Sequence, residues 1–137
     1  MFHIGESASK GRGLYASRLI GRGEVIERAP VLVLSEKDEF FVNRSVLFNY
    51  TFAWGRDGRE SAIVLGCSSL INHSYEPNAV YETFWDERLF VCSALRDIEA
   101  GEEILVNYNR DPSDRSPLWF APVEEAQGAL PTGAMAS

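Results

Sequence analysis

The segment LINHSYEPNA at residues 70–79 is the most distinctive part of the chain, because a polar stretch lies there between apolar ones. The residues from Asn72 to Asn78 are polar and are interrupted by Pro77, which predicts a loop without regular secondary structure. The donors and acceptors of such a loop must face solvent or be satisfied by a bound ligand. The residues alone therefore leave two interpretations open: Asx turns at Asn72 and Asn78, or a polar ligand held by Asn72 and His73.

Short apolar segments on both sides of residues 70–79 predict a mainly β protein. Upstream strands are expected at 13–16, 24–28, 31–34, 50–54 and 61–67, and the Val- and Leu-rich segment 31–34 is typical of a strand buried on both faces. Downstream, segments 80–84 and 88–93 alternate around Asp86 and Glu87 and predict a hairpin, followed by a last strand at 104–108. The one predicted helix covers 36–48 and begins at a capping box formed by Ser35 and Asp38.

The composition is that of a soluble globular domain. The chain has 137 residues, of which 45% are hydrophobic and 24% charged, and this length accommodates one hydrophobic core. No apolar run is long enough to span a membrane and no signal peptide is apparent, so we expect a cytoplasmic protein, although a nuclear location is also open. With 13 basic and 20 acidic residues, the net charge of −7 argues against a nucleic-acid partner and favours a basic one.

Other motifs are weaker indications of function. Each of the Gly-x-Gly turns, at 11–13 and 21–23, lacks the third glycine and the following helix that a dinucleotide-binding loop requires. Cys67 follows an apolar run, which is typical of a buried structural cysteine rather than of a thiol-protease nucleophile. Two cysteines and two histidines at these spacings cannot form a zinc site, so no metal is expected. A tyrosine at the end of a strand, as at Tyr108, is more often a core or rim residue than a catalytic one.

Taken in order, four segments resemble the SET-domain protein lysine methyltransferases. They are KGRGLYA at 10–16, LINHSYEPNA at 70–79, ALRDIEAGEEILVNY at 94–108 and PLWF at 117–120. The combination of Asn-His-Ser-x-x-Pro-Asn with a downstream Gly-Glu-Glu-x-x-x-x-Tyr is specific to this family, and the resemblance extends over residues 3–120. It implies a SET-domain fold of small curved β-sheets with one short helix and a C-terminal pseudoknot. We therefore expect a SET domain at 1–122 and a flexible tail at 123–137.

The resemblance also implies a reaction and the residues of its site. The family transfers a methyl group from S-adenosylmethionine to the side-chain amine of a lysine in a protein. By position, Tyr108 corresponds to the active-site tyrosine, and Tyr81, Tyr108 and Phe120 correspond to the substrate channel. The cofactor is expected to contact the residues that match the family's binding motifs, namely Gly11, Arg12, Gly13, Leu14, Asn72, His73, Tyr108 and Trp119.

Several alternatives remain open at this stage. The chain carries Tyr75 where many chromatin-directed members have a cysteine followed by a cysteine-rich zinc segment, so zinc-free members are the better template. Arg110 occupies a position where some members have a second aromatic residue of the channel, which leaves the number of methyl groups added undetermined. The alternative functions are a non-catalytic module that binds a basic peptide and an enzyme that methylates a small amine. A homodimer in which a second copy completes the site is also open.

Overall fold

The computed structural model describes residues 1–7 and 11–118, and within them nine strands, one α-helix and two 3-10 helices. The strands are β1 (Phe2–Ser7), β2 (Gly11–Ala16), β3 (Val25–Leu34), β4 (Thr51–Trp54), β5 (Glu60–Val64), β6 (Asn72–His73), β7 (Ala79–Phe84), β8 (Leu89–Ala94) and β9 (Glu103–Val106). The helix α1 covers Glu36–Val42, and the 3-10 helices cover Val46–Tyr50 and Cys67–Leu70. The prediction of a mainly β fold with one short helix is confirmed. Within these ranges, no helix is long and apolar enough to cross a membrane.

Two sheets position the candidate site. One has the order β4-β5-β3-β8-β7 and is antiparallel throughout, and the other has the order β1-β2-β9-β6, in which β6 runs parallel to β9. The strands β2 and β9 pair only through Leu14 opposite Ile104 and Tyr15 opposite Glu103. The beginning of β2 therefore extends beyond its partner, and the backbone of residues 11–13 has no partner on β9.

The hydrophobic core takes side chains from both sheets. Leu14 and Ile104 of one sheet and Phe90 of the other are fully buried members of a single cluster. The ring of Phe90 contacts Phe52 edge-on at 5.7 Å and stacks on Tyr81 at 5.1 Å between centroids. Burial of one such side chain contributes roughly 1.5–3 kcal/mol. The core therefore holds Tyr81, whose ring also borders the candidate site, in a fixed orientation.

The predicted helix over 36–48 is too long. Its capping box is present, since Ser35 Oγ accepts a hydrogen bond from the Asp38 amide at 3.1 Å, but the helix ends at Val42. None of its residues is buried, so tertiary packing does not extend it beyond two turns. Ser45 then caps a separate 3-10 helix by accepting from the Leu47 amide at 3.2 Å.

The segments predicted as separate strands at 24–28 and 31–34 form one strand, β3. It continues through Pro30, whose carbonyl accepts from the Leu65 amide at 2.9 Å. The prediction that 31–34 is buried on both faces is wrong, because Val31 is buried whereas Leu32 is 53% exposed. One face of the sheet lies on the core and the other faces solvent, so even a run of apolar residues alternates between them.

The polar segment after residue 70 is more regular than predicted. Asn72 and His73 pair with Leu105 and Val106 as the parallel strand β6, and the Ser74 amide continues the ladder to the Val106 carbonyl at 3.0 Å. Parallel pairing between segments so far apart in sequence cannot be inferred from local polarity. The prediction of a loop without regular structure is therefore wrong for its first residues.

The carboxylate of Glu27 anchors the short 3-10 helix that leads into β6. Its oxygens accept hydrogen bonds from the Cys67 amide at 3.2 Å, the Ser68 amide at 2.8 Å and the Ser68 hydroxyl at 2.5 Å. A Cβ at Gly66 would lie 2.8 Å from Glu27 Oε1 and 3.0 Å from the Ala29 Cβ, so this position requires glycine. The carboxylate thus fixes the chain that carries the polar segment.

We expect Glu27→Ala to lower the free energy of unfolding by about 2 kcal/mol, because part-buried donors lose a charged acceptor. Urea denaturation monitored by circular dichroism measures this loss. Glu82→Ala is the matched control, since Glu82 is exposed on β7 of the same sheet and its removal should change stability by less than about 0.5 kcal/mol. Equal effects of the two substitutions would contradict the anchoring role.

After β9 the chain turns back against the polar segment. The Tyr75 hydroxyl donates to the Ser116 carbonyl at 2.9 Å, and Asn107 Nδ2 donates to the Asp114 carbonyl at 2.6 Å. The first bond holds Ser116 against the polar segment, and the second closes the turn between Asn107 and Asp114. The predicted pseudoknot, the domain boundary at 122 and the tail at 123–137 depend on residues 119–137, which lie outside the described residues.

Candidate active site

Asn72 links the start of β2 to β9. Its Nδ2 donates to the Arg12 carbonyl at 3.1 Å and to Glu103 Oε2 at 2.8 Å. Within residues 1–7 and 11–118 no donor reaches Asn72 Oδ1, so this oxygen can accept a hydrogen bond from a ligand. The half-buried amide therefore presents an acceptor beside a carboxylate, at the point where β2 extends beyond its partner strand. The Asx turn considered for Asn72 is not formed, because its side chain binds residues of β2 and β9.

Gly13 makes this arrangement possible. A Cβ at this position would overlap the Glu103 carboxylate and lie 2.9 Å from Asn72 Nδ2. The same construction at Gly21 meets nothing within 4 Å. The first Gly-x-Gly motif is therefore the start of strand β2 and not the predicted turn, and its Gly13 is required by the Asn72–Glu103 pair; the second motif is a turn without such a constraint.

His73 and Tyr108 are held together by backbone and ring contacts. The Tyr108 amide donates to His73 Nδ1 at 3.0 Å, which assigns the proton of this neutral imidazole to Nε2. The two rings lie 5.1 Å apart, and the His73 side chain is buried. The Tyr108 hydroxyl donates to the Ile71 carbonyl at 2.7 Å, which fixes the orientation of the phenol.

Tyr81 and Tyr108 line one cleft of about 290 Å³. Its walls come from the turn after β4, the edge strand β7 and the residues after β9, and they include Ala53, Gly55, Arg56, Asp57, Gly58, Thr83, Trp85, Asn109 and Arg110. The Tyr81 hydroxyl donates to the Tyr108 carbonyl at 3.4 Å. Burial raises the pKa of Tyr81 to about 12, so its hydroxyl stays protonated at neutral pH. The structure therefore brings together the two tyrosines of the predicted substrate channel.

Two asparagines that the sequence did not single out as functional stabilise the site. Asn78 is buried, and its amide bridges two backbone groups of β9, donating to the Glu103 carbonyl and accepting from the Leu105 amide, both at 2.8 Å. It therefore does not form the Asx turn considered above. Asn107 accepts from the Asn109 amide at 2.9 Å and so forms the Asx turn around Tyr108. The Asn-His-Ser-x-x-Pro-Asn string was the available signal for Asn78, whereas Asn107 had none.

The hydrogen-bond acceptors at Asn72 and Glu103 fit an ammonium group of the expected cofactor. An ammonium group such as that of an amino acid would be bound by Asn72 Oδ1 and the Glu103 carboxylate, and the lack of a side chain at Gly13 lets both groups lie against the backbone of β2. In the part of the chain that the structure describes, no group of three or more His, Cys, Asp or Glu side chains could hold a metal ion. The predicted contacts of Trp119 and Phe120 lie outside the described residues.

The chain is similar to known proteins over most of its length. The model of the SET domain family matches residues 11–109. A histone-lysine N-methyltransferase of Schizosaccharomyces pombe, specific for lysine 37 of histone H3, is 31% identical over 127 residues, which cover 92% of this chain and 80% of that protein. Human histone-lysine N-methyltransferase 2B is 33% identical over 132 residues, which cover 91% of this chain but only 4% of the human protein.

Solved structures share the fold. A crystal structure of a candidate histone methyltransferase from Plasmodium falciparum aligns with a TM-score of 0.61 at 24% identity, over 79% of this chain and 96% of that one. A polycomb repressive complex 2 solved with bound S-adenosylmethionine contains a chain that aligns with a TM-score of 0.64 at 22% identity, over 78% of this chain and 15% of its own.

Proposed function

The chain belongs to the SET-domain family, and on this basis we propose that it is a protein-lysine methyltransferase that uses S-adenosylmethionine. The observation that carries the proposal is the juxtaposition of the Asn72–Glu103 pair at Gly13 with the cleft lined by Tyr81 and Tyr108. The two places are adjacent, because the hydroxyl of Tyr108, which lines the cleft, donates to the carbonyl of Ile71, the residue before Asn72.

The cofactor would be held by the backbone of Gly11, Arg12, Gly13 and Leu14 and by Asn72 and His73. When bound, S-adenosylmethionine supplies an electrophilic methyl group on a positively charged sulfonium. The carbonyl of Arg12 already accepts from Asn72, which fixes the amide relative to this backbone. The side chain of His73 is buried, and its Nδ1 accepts from the Tyr108 amide. His73 would therefore act by holding Tyr108 in place beside the cofactor. Trp119 remains a predicted contact.

Tyr108 would orient the lysine amine. Its hydroxyl donates to the Ile71 carbonyl, and this hydrogen bond fixes the phenol beside the cleft that a lysine side chain would enter. Tyr81 and Trp85 border the same cleft and would contact the apolar stem of a lysine side chain. Phe120 remains the third predicted residue of this channel.

The lysine amine must lose a proton before it can act as a nucleophile, since the pKa of a free lysine is about 10.4. Among the described residues that line the cleft, Asp57 is the one carboxylate, and it also pairs with Arg59 at 3.5 Å. We therefore assign no general base among the residues that the structure describes. The proton leaves through water in the open cleft.

A methyl-transfer assay tests the proposal. The protein is incubated with tritiated S-adenosylmethionine and a histone mixture, ribosomal proteins or a cell lysate, and protein-bound label is counted. We expect label that depends on the intact protein and is lost after heat denaturation. Cofactor binding without label in any protein fraction, but with label in small amines, would favour the small-amine alternative. Peptide binding without cofactor binding would favour the non-catalytic module.

A further inference from the structure

The cleft at Tyr81 and Tyr108 carries a local charge opposite to that of the whole chain. The net charge of the protein is −7, yet the charged residues that line the cleft are Arg56, Arg110 and Asp57. Asp57 is paired with Arg59 at 3.5 Å, outside the cleft. The wall that borders the predicted lysine channel is therefore cationic, which is unexpected for a site that receives a lysine ammonium.

Arg110 is held in place at the edge of this cleft. Its Nη1 donates to Thr83 Oγ1 at 2.9 Å, and its amide donates to the Asn107 carbonyl at 2.9 Å. Its φ of 75° lies in the left-handed region, where glycine is favoured and a long side chain is strained. Its positive charge acts on Tyr81, because it opposes the rise in the Tyr81 pKa that burial causes. An arginine therefore occupies a backbone conformation that favours glycine.

Arg56 lines the same cleft. Its guanidinium lies 5.3 Å from the centroid of the Trp85 ring, at cation–π distance. Within residues 1–7 and 11–118, neither Arg56 nor Arg110 lies within 4.0 Å of a carboxylate, and Asp57 of the same cleft pairs with Arg59. Two guanidiniums without a carboxylate partner therefore face one cleft.

We propose that this cleft binds an anionic side chain next to the target lysine, with Arg110 as its main contact and Arg56 as the second. The proposal rests on the proposed function. A lysine ammonium approaching two guanidiniums is repelled, and the repulsion is offset only if the substrate brings its own negative charge. Planar guanidiniums bind carboxylates and phosphates through paired hydrogen bonds, so an Asp, a Glu or a phosphoserine would serve. The acidic surface of the rest of the chain attracts a basic substrate protein. The cleft then favours those lysines of the substrate that have an anionic neighbour.

Peptide binding to the full chain tests this specificity. The probes are fluorescein-labelled peptides of one sequence with a single target lysine, whose neighbours are Glu, Gln, phosphoserine, serine or Lys. By fluorescence anisotropy without cofactor, we expect the Glu and phosphoserine peptides to bind about fivefold to tenfold more tightly than their Gln and serine counterparts. Arg110→Glu should remove this preference and favour the Lys-flanked peptide, and Arg56→Glu should weaken it.

Arg22→Glu is the matched control, because it makes the same charge change at an exposed turn and should keep the preference. Arg110→Gln, together with the melting temperature of each variant, separates loss of charge from loss of fold. Equal binding of anionic and neutral peptides to the native chain, tightest binding of the Lys-flanked peptide, or no binding of any of them would overturn the proposal. Methyl transfer to the same peptides is measured separately, so charge-dependent binding without transfer would contradict the enzymatic function alone.

Discussion

Tyr108→Phe is expected to lower the rate of methyl transfer by about a hundredfold or more while leaving the affinity for S-adenosylmethionine nearly unchanged. The substitution keeps the ring that lies 5.1 Å from His73 and removes only the hydroxyl that donates to the Ile71 carbonyl. Loss of that hydrogen bond should lower the free energy of unfolding by about 1 kcal/mol, which the fold tolerates. Single-turnover kinetics, calorimetric titration with the cofactor and thermal denaturation of one protein preparation measure the three quantities.

Tyr50→Phe is the control for this prediction. Tyr50 ends the 3-10 helix that precedes β4 and does not line the cleft, so the Tyr50→Phe protein should transfer methyl groups at the native rate. A Tyr108→Phe protein with native turnover would mean that Tyr108 is only a packing residue. Tyr81 would then be the next candidate, since its hydroxyl reaches the Tyr108 carbonyl and the same cleft.

Asn72→Ala is expected to abolish most of the stabilisation that S-adenosylmethionine gives to the native chain. A ligand at 100 times its dissociation constant adds about 2.7 kcal/mol to the free energy of unfolding, which thermal denaturation detects as a higher melting temperature. Alanine removes the amide that binds the Arg12 carbonyl and Glu103, and it removes the acceptor oxygen offered to the cofactor. Buried polar groups of the ligand would then be left without a partner.

Gly13→Ala should have a similar effect on cofactor binding for a different reason. The added Cβ would displace both the Glu103 carboxylate and Asn72 Nδ2. Gly21→Ala is the control, because the space around Gly21 is open. The cofactor should raise the melting temperature of this variant as much as that of the native chain. If the cofactor raised the melting temperature of the Asn72→Ala protein as much as that of the native chain, the cofactor would bind elsewhere.

Local signals in the sequence predicted those parts of the fold that depend on neighbouring residues. The capping box at Ser35 and the hairpin of β7 and β8 around Asp86 and Glu87 are both present, because each is set by residues close in sequence. The length of α1 was not predictable in this way, since the helix ends where no core contact continues it. Periodicity likewise could not distinguish the exposed Leu32 from a residue buried in the middle of a sheet.

The site depends on contacts between distant segments, and composition alone could not have located it. The parallel pairing of β6 with β9 and the hydrogen bond from Asn72 to Glu103 join parts of the chain that local patterns treat separately. The motif resemblance predicted that Asn72, His73, Tyr81 and Tyr108 belong to one site. It did not identify Glu103 or Asn107, whose roles follow from where the backbone of β9 and its following turn bring them.

Mass spectrometry of a protein substrate after reaction tests the central claim most directly. The native chain is incubated with S-adenosylmethionine that carries a deuterated methyl group, and the peptides of the labelled protein are sequenced by fragmentation. We predict that the heavy methyl group is found on the side-chain nitrogen of lysine, and that its amount falls by about a hundredfold or more with Tyr108→Phe. Heavy methyl groups on another residue type, or equal labelling by the native and Tyr108→Phe proteins, would contradict the account.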